Sequence, residues 1–432
     1  VTTAESARQT PVQALLSGPV GGAIGGARLA EQLGRQNLMC VDMGGTSFDA
    51  SLVIDGQPVV ASEASVEGLP LLLPLVDIHT IGAGGGSLAW IEAGGLRVGP
   101  QSAGSSPGPA CYGGGGTRPA VTDANAVLGR IDPAYFLDGG MALDVAAAAR
   151  AVDTVAEPLG MSRLEAATGI LAIINAKMAD EMRTMTVQQG IDPRSFALVA
   201  FGGAGPMHAI ALAEELGIAE VVIPWACGAF SAWGMLHTDM RRDLVRSHYR
   251  QPDEISFEGL DHVFSELIAQ GDELLAADGV PPERRRYERR VDMRYTGQEY
   301  TLTVDVTDDL ADVAALVESF HAAYLVRYGH STPQAPVETT AARVAAIGVN
   351  ASAIASGQGG STGRIAPARS TREVVFDGVA HETAIVHRDE VIDGVEVRGP
   401  AVIQEPTATT VVHPGWTVRL GPLGALLITR VD

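Results

Sequence analysis

The segment from Leu38 to Ser51, LMCVDMGGTSFDAS, combines an apolar strand with acidic, glycine and hydroxyl residues at close spacing. Its candidate site residues are Asp42, Gly44, Gly45, Thr46 and Asp49. Adjacent glycines let backbone N–H groups converge on phosphate oxygens, and an acid at a strand end can hold Mg²⁺ or its water. The pattern predicts a phosphate-binding turn with Asp42 as metal ligand. The alternative is an ordinary β-hairpin with an Asx-type turn.

A second glycine cluster, FGGAGP, contains Gly202, Gly203 and Gly205 and follows an apolar strand from Ala197 to Ala200. Proline at position 206 suits the first turn of a helix. A strand that leads through close-set glycines to a helix N-terminus lets a nucleotide approach the backbone, because the positive end of the helix dipole faces it. The alternative is a tight strand-to-helix turn without a ligand.

A third segment places Asp77 and His79 two residues apart on one strand face, followed by a glycine run. Such a pair can bind a metal or shuttle protons, so His79 is a catalytic candidate. A hydrogen-bonded pair without either role is the alternative. Further on, Thr122 is the expected N-cap of a short helix, and Cys111, in a Pro/Gly loop, is expected to be structural.

The composition excludes several classes of function. The formal net charge of −21 disfavours nucleic acid, and the single lysine, Lys177, leaves almost no candidate for Schiff-base or Walker A chemistry. The apolar stretches are too short to span a membrane, and no basic-then-apolar leader opens the chain. Three separated cysteines are typical of thiols in a reducing compartment. We therefore expect a cytoplasmic protein.

The order of patterns predicts an α/β domain over residues 1–241, an α+β domain over 242–350, a linker over 351–364 and a small β-rich unit over 365–432. The predicted helices include 161–189, 206–216, 257–277 and 309–328. The linker formally contains a G-x-S-x-G pattern at 359–363. We reject a nucleophile elbow there, because a Gly/Ser-rich spacer offers neither the preceding strand nor the following helix.

Seven motifs, taken in order, resemble the hydantoinase A / 5-oxoprolinase family: LLSGPVGGAIGGA, CVDMGGTSFDAS, DIHTIGAGGGS, VGPQSAGSSPGPACYGGGG, VTDANAVLGR, FGGAGPMHA and GPAVIQEPTATTVVHPGW. The resemblance covers nearly the whole chain and extends to the acetone and acetophenone carboxylases. It implies one lobe of the kinase/actin-like (ribonuclease H-like) fold. Two departures from the family pattern are Phe48 and Ala50, and Gly114 stands where an arginine is usual.

The resemblance implies ATP with Mg²⁺ or another divalent cation as cofactor, and ATP-dependent hydrolysis of a cyclic amide of the hydantoin or 5-oxoproline type. It assigns the turn around Asp42 to phosphate and the glycines from 202 to 205 to adenosine. ATP would phosphorylate the carbonyl oxygen before hydrolysis.

The alternatives are an ATP-dependent ketone carboxylase subunit and a noncatalytic nucleotide-sensing or assembly module. Family members work beside a B-type subunit, so a homo- or hetero-oligomer is expected. A second D-x-G-G-T turn is usual in an N-terminal lobe and does not occur in this sequence. We therefore expect this chain alone to bind ATP weakly and to be inactive.

Overall fold

A computed structural model describes residue 8 and residues 17–61, 64–66, 69–71, 75–188, 190–308, 310, 312–350 and 364–431. The contacts within the chain divide it into two units. The larger unit comprises residues 16–237 and 354–432, and the smaller unit comprises residues 1–15 and 238–353. The linker predicted over 351–364, with its G-x-S-x-G pattern, lies almost wholly outside the described residues.

The α-helices are α1 (Ser17–Leu33), α2 (Val121–Val127), α3 (Val145–Leu159), α4 (Arg163–Gln188), α5 (Gly205–Leu216), α6 (Phe230–Leu236), α7 (Phe257–Ala277) and α8 (Val313–Tyr328). The strands up to residue 305 are β1 (Leu38–Met43), β2 (Phe48–Ile54), β3 (Gln57–Pro58), β4 (Val60–Ala61), β5 (Ala64–Val66), β6 (Leu69–Leu71), β7 (Leu75–Val76), β8 (Ile78–Ile81), β9 (Ser87–Glu92), β10 (Gly95–Ser102), β11 (Ala197–Phe201), β12 (Glu220–Ile223), β13 (Met240–Arg250), β14 (Arg285–Tyr295) and β15 (Leu302–Asp305). The remaining strands are β16 (Val337–Gly348), β17 (Arg364–Ile365), β18 (Ser370–Phe376), β19 (Val379–His387), β20 (Val395–Arg398), β21 (Ala401–Glu405), β22 (Ala408–Val412), β23 (Trp416–Leu420) and β24 (Leu426–Arg430).

The larger unit is built on a mixed sheet with the strand order β17-β20-β23-β24-β12-β11-β1-β2-β3, and β8 also pairs with β2. The central strands β1, β11 and β12 run parallel. Nearly every side chain of β1 and β11 is buried, as expected of strands covered on both faces. Strands β20, β23 and β24 come from the stretch that we predicted as a small β-rich unit, and they extend this same sheet.

A second sheet of the larger unit has the order β18-β19-β21-β22. Strand β22 packs against α5, the helix that follows the second glycine cluster. The turn after β21 is therefore anchored close to the start of that helix.

The smaller unit has the α+β architecture that the sequence predicts. Its antiparallel sheet has the order β13-β16-β14-β15, and helices α7 and α8 lie in the part of this unit that the structure describes continuously from 238 to 308 and from 312 to 350. Its own apolar core includes Phe264, Phe320 and Val291, which are at most 1% exposed.

Candidate functional site

Two carboxylates and a hydroxyl form a row across three neighbouring strands. Asp42 on β1 is paired directly with Asp49 on β2, and Asp49 is paired with Thr80 on β8. Directly paired residues lie on the same face of a sheet, with Cβ atoms about 5 Å apart. The Thr80 hydroxyl donates to Asp49 Oδ1 at 2.5 Å, and the Ser231 hydroxyl donates to Asp42 Oδ2 at 3.2 Å.

The electrostatics of this row favour a bound cation. Burial raises the pKa of Asp42 above its ordinary value, the hydrogen bond from Ser231 opposes the rise, and the charge of Asp49 adds to it. Within the described residues, no group of three or more His, Cys, Asp or Glu side chains is placed to hold a metal ion. Two carboxylates fit Mg²⁺, which commonly takes one or two from the protein and its other ligands from phosphate and water.

The turn between β1 and β2 presents open backbone donors. The carbonyl oxygens of Gly44 and Gly45 accept hydrogen bonds from the N–H groups of Gly85 and Gly86, and these two bonds hold the turn in place. Gly45 and Thr46 are exposed residues, and their N–H groups donate to no acceptor among the residues that the structure describes. Apart from the adjacent residues of the chain, no heavy atom of the described residues lies within 4 Å of where a Cβ would stand on Gly44 or Gly45. The turn is therefore shaped as an anion cradle.

The second glycine turn packs directly against Asp42. Gly202 has a φ of 80°, and a Cβ there would overlap Asp42 Oδ1 and lie 2.5 Å from the Met43 carbonyl oxygen. The N–H of Ala204 donates to that same carbonyl oxygen at 2.9 Å. The N–H of Gly203 is exposed and has no acceptor in the described part of the chain. Helix α5 then begins at Gly205, so its N-terminal end lies beside the first turn.

His79 is not brought to this row. It neighbours Thr80 on β8, so its ring lies on the opposite face of the sheet. Its Nδ1 is 2.7 Å from Glu181 Oε1 on α4, and its Nε2 is 3.6 Å from Asp77 Oδ1. The tertiary structure thus adds a second carboxylate to the predicted pair, and a catalytic role for His79 stays a prediction.

A cavity of about 280 Å³ joins the two glycine turns. Gly44, Gly45 and Gly203 lie on its wall, together with residues of two loops and of the segment before α2. The remaining lining residues were not predicted to belong to this site, and they include Tyr112, Thr122, Asp132, Tyr135, Phe136, Gln404, Glu405 and Thr407. None of the lining residues carries a cationic side chain.

The loop on one side of the cavity is held by Asp123. Its fully buried carboxylate accepts three backbone hydrogen bonds, from Ala110, Cys111 and Ala120. The prediction that Thr122 is the N-cap of this helix is wrong, because Thr122 lies inside α2 and its hydroxyl donates to the Gly85 carbonyl oxygen. Burial and the charge of Asp123 raise the pKa of Cys111, consistent with a structural thiol.

The other side of the cavity is formed by the segment from Gln404 to Thr409, which belongs to the motif GPAVIQEPTATTVV. The sequence analysis used this motif only for its resemblance and assigned no role to its residues. Gln404 donates to Asp132 Oδ2 at 3.1 Å, across the cavity wall. Burial raises the pKa of Asp132, but hydrogen bonds from Ala134 and Gln404 and the charge of Arg372 together bring it below its ordinary value.

Comparison with known proteins shows which family this chain resembles over its length. The hydantoinase/oxoprolinase family model matches residues 1–244, and the hydantoinase/oxoprolinase C-terminal domain matches residues 249–424. The caprolactamase subunit alpha of Pseudomonas jessenii is 35% identical over 440 residues, covering 98% of this chain and 62% of the relative. The crystal structure of that ATP-dependent caprolactamase matches with a TM-score of 0.79 and 33% identity, over 95% of this chain and 61% of its own.

Two further relatives carry different activities. The 5-oxoprolinase 1 of Arabidopsis thaliana is 33% identical over 434 residues, which are 93% of this chain and 33% of the relative. A nucleotide-free structure of acetone carboxylase, from work on ATP-dependent acetone carboxylation, matches with a TM-score of 0.81 and 28% identity, over 96% of this chain and 61% of its own. The chain thus spans less than two thirds of the length of these relatives.

The chain belongs to the hydantoinase/oxoprolinase family. The predicted fold class is confirmed: the larger unit carries a lobe of the actin-like fold that these neighbours share. Among the described residues, no helix is both long enough and apolar enough to cross a bilayer.

Proposed function

We propose that this chain forms part of an ATP-dependent hydrolase of cyclic amides, and that the row of Asp42 and Asp49 positions the metal and phosphates of ATP. One observation carries the proposal. The unpartnered N–H groups of Gly45, Thr46 and Gly203 and the two carboxylates lie around the meeting point of the two glycine turns. Donors and a metal-binding acid at one point are what phosphoryl transfer requires.

The chain's residues would divide the work by position. Asp42 and Asp49 would hold Mg²⁺, which when bound neutralises phosphate charge, and the Ser231 and Thr80 hydroxyls would orient the two carboxylates. The backbone donors of the turns would bind phosphate oxygens. Gly202 and Gly205 would keep the second turn and the start of α5 close enough for the nucleotide to approach, with adenosine on that side.

A substrate would enter the same cavity from its aromatic side. Tyr112 and Phe136 have ring centroids 5.6 Å apart and give an apolar surface for a small ring. Placing the amide oxygen against the γ-phosphate would convert a poor leaving group into a good one by phosphorylation.

A ketone carboxylase subunit is the second candidate, because the acetone carboxylase structure matches this fold as well as the caprolactamase does. Both reactions begin with ATP-dependent activation of a carbonyl. They differ in the next step: in the hydrolase water attacks the activated carbonyl carbon, whereas in the carboxylase the carbon next to the carbonyl attacks a carboxyl donor.

We also propose a partner subunit of the B type and a cytoplasmic location. The relatives include proteins named as subunits, such as caprolactamase subunit alpha. The three cysteines are free and buried, which suits a reducing compartment. Co-purification of the full-length protein with its B-type neighbour tests the assembly, and complete ring-opening activity without that neighbour would refute it.

The proposed function is tested by comparing the amount of ring-opened product with the amount of ADP released. The full-length protein with its partner is incubated with Mg-ATP and a panel of lactams, hydantoins and ketones, with and without bicarbonate. We expect one ring-opened product for each ADP released, an amino acid from a lactam or an N-carbamoyl amino acid from a hydantoin, independent of bicarbonate. Bicarbonate-dependent consumption of a ketone would establish the second candidate. ATP binding without any turnover on the panel would favour a nucleotide-sensing role.

A further inference from the structure

We propose that Glu405 is the base that removes the N–H proton of the cyclic amide as ATP phosphorylates its carbonyl oxygen, an inference that rests on the proposed function. Glu405 ends strand β21 and lies on the cavity wall that also contains Gly44, Gly45 and Gly203. It is one of two carboxylates on that wall, and the other, Asp132, is engaged with Ala134, Gln404 and Arg372.

The position of Glu405 is fixed relative to the phosphate turns. The Cys227 thiol donates to Glu405 Oε1 at 2.7 Å, and the Cys227 carbonyl oxygen accepts a hydrogen bond from the N–H of Gly202. A Cβ on Gly228 would overlap the Thr407 hydroxyl, so the segment after Glu405 packs tightly on the segment after Cys227. The carboxylate is therefore tied to the turn that approaches Asp42.

Two further groups, the Arg388 guanidinium and the Cys227 thiol, surround the Glu405 carboxylate. The Arg388 guanidinium donates to two backbone carbonyl oxygens, of Ile223 and Gly424, and its buried Nη1 has no hydrogen-bond partner in the described part of the protein. Burial lowers the pKa of Arg388 and the charge of Glu405 opposes that change, so these two groups interact. Burial, and then the charge of Glu405, raise the pKa of Cys227 well above its ordinary value, so the sulfur remains a thiol donor.

Phosphorylation of the amide oxygen and loss of the N–H proton make up one step. The amide oxygen forms a bond to the γ-phosphorus of ATP, and the bond between that phosphorus and the bridging oxygen of ADP breaks. The N–H bond breaks, its proton passes to the Glu405 carboxylate, and its electron pair forms the C=N bond of a cyclic imidate phosphate. Without a base, O-phosphorylation would leave a cationic ring, so a carboxylate at this place lowers the barrier.

The experiment uses the full-length protein with its partner and compares Glu405→Gln with the wild type. We expect the lactam-stimulated ADP release and ring opening to fall by roughly 100-fold or more. The Kd for Mg-ATP is expected to stay within about threefold, because Glu405 accepts a proton and binds no phosphate. Glu382→Gln, an exposed carboxylate on β19 in the same sheet, is the matched control and should retain wild-type rates.

Cys227 is a positioning residue in this scheme, and its variants give a separate readout. Cys227→Ser keeps a donor and should retain the pH profile. Cys227→Ala removes the hydrogen bond that favours the ionised carboxylate, so the acidic limb of kcat/KM should move to higher pH, with a loss of roughly tenfold at low pH. A merely structural role for the thiol would lower stability without moving that limb.

The possible results separate the role of Glu405 from the proposed function. Glu405→Gln with ring opening within about threefold of the wild type would overturn the assignment, and so would loss of Mg-ATP binding at unchanged Tm, which would place Glu405 in the nucleotide site. If Glu405→Gln does not fold, Glu405→Asp replaces it, and ring opening within about threefold of the wild type in that variant, whose carboxylate is set back by one methylene, refutes the base. A wild-type enzyme that binds ATP but opens no lactam contradicts the proposed function itself, so the two failures are distinct.

Discussion

Substituting Gly202 by alanine should lower both the stability of the larger unit and its affinity for the nucleotide. The φ of 80° is left-handed, which costs alanine about 1–2 kcal/mol. The added Cβ would also overlap Asp42 Oδ1 and lie 2.5 Å from the Met43 carbonyl oxygen, and relief of such crowding costs about 1–3 kcal/mol. The two costs together predict a loss of roughly 2–5 kcal/mol in the free energy of unfolding.

Tryptophan fluorescence during urea unfolding measures this loss directly. The four tryptophans of this sequence, Trp90, Trp225, Trp233 and Trp416, belong to the larger unit, so their fluorescence reports on that unit and not on the smaller one. Isothermal titration with Mg-ATP on the full-length protein gives the second readout, because movement of the Asp42 carboxylate should weaken binding.

The neighbouring glycine provides the control. Gly203 has no left-handed φ, and a Cβ there meets only the Thr407 carbonyl oxygen, at an ordinary 3.6 Å. Gly203→Ala should therefore change the free energy of unfolding by less than about 1 kcal/mol. Equal losses for the two variants would refute the reasoning, since backbone conformation and the contact with Asp42 are what distinguish these positions.

Four further predictions follow from the same contacts. Asp42→Asn should strongly reduce ATP turnover, measured as ADP release, and unchanged turnover would remove Asp42 from the mechanism. The same variant should be at least as stable as the wild type at pH 7, because the raised pKa of Asp42 means that folding disfavours its charged form. Asp123→Ala should lower the free energy of unfolding by about 4 kcal/mol in urea, because three buried N–H groups lose their acceptor. Burial lowers the pKa of His208 to about 3, so the stability that its neutral ring contributes above pH 6.5 is lost as the pH falls toward 3. His208→Gln should therefore reduce the slope of the free energy of unfolding against pH between pH 6 and 5 by about 1.4 kcal/mol per pH unit. An unchanged slope would contradict this. The cavity wall carries carboxylates and no cationic side chain, so it should repel a substrate carboxylate. The kcat/KM for 2-pyrrolidinone should therefore be at least about tenfold above that for 5-oxoproline, which is the same ring with a carboxylate. A preference for 5-oxoproline would refute this reasoning.

The sequence by itself determined the local elements and the chemistry of each turn. The strands around Gly44 and Gly45 and the helix after Gly203 are where the pattern predicts them, because strand propensity, glycine spacing and proline at a first helical turn act within a few residues. The helix Phe257–Ala277 also matches its predicted bounds. The order of motifs was sufficient to indicate the family.

Only the tertiary structure decided which of these elements meet. Pairing β1 with both β2 and β11 puts Asp42 beside Asp49 and against Gly202, and no local pattern specifies that strand order. Cys227 and Glu405 touch across 178 positions of sequence, so no spacing rule could join them. The C-terminal strands were predictable as strands, but their pairing with β12 depends on the register of a long-range contact. Sequence period sets the face of a strand, whereas the neighbour on that face is chosen by packing of the whole core.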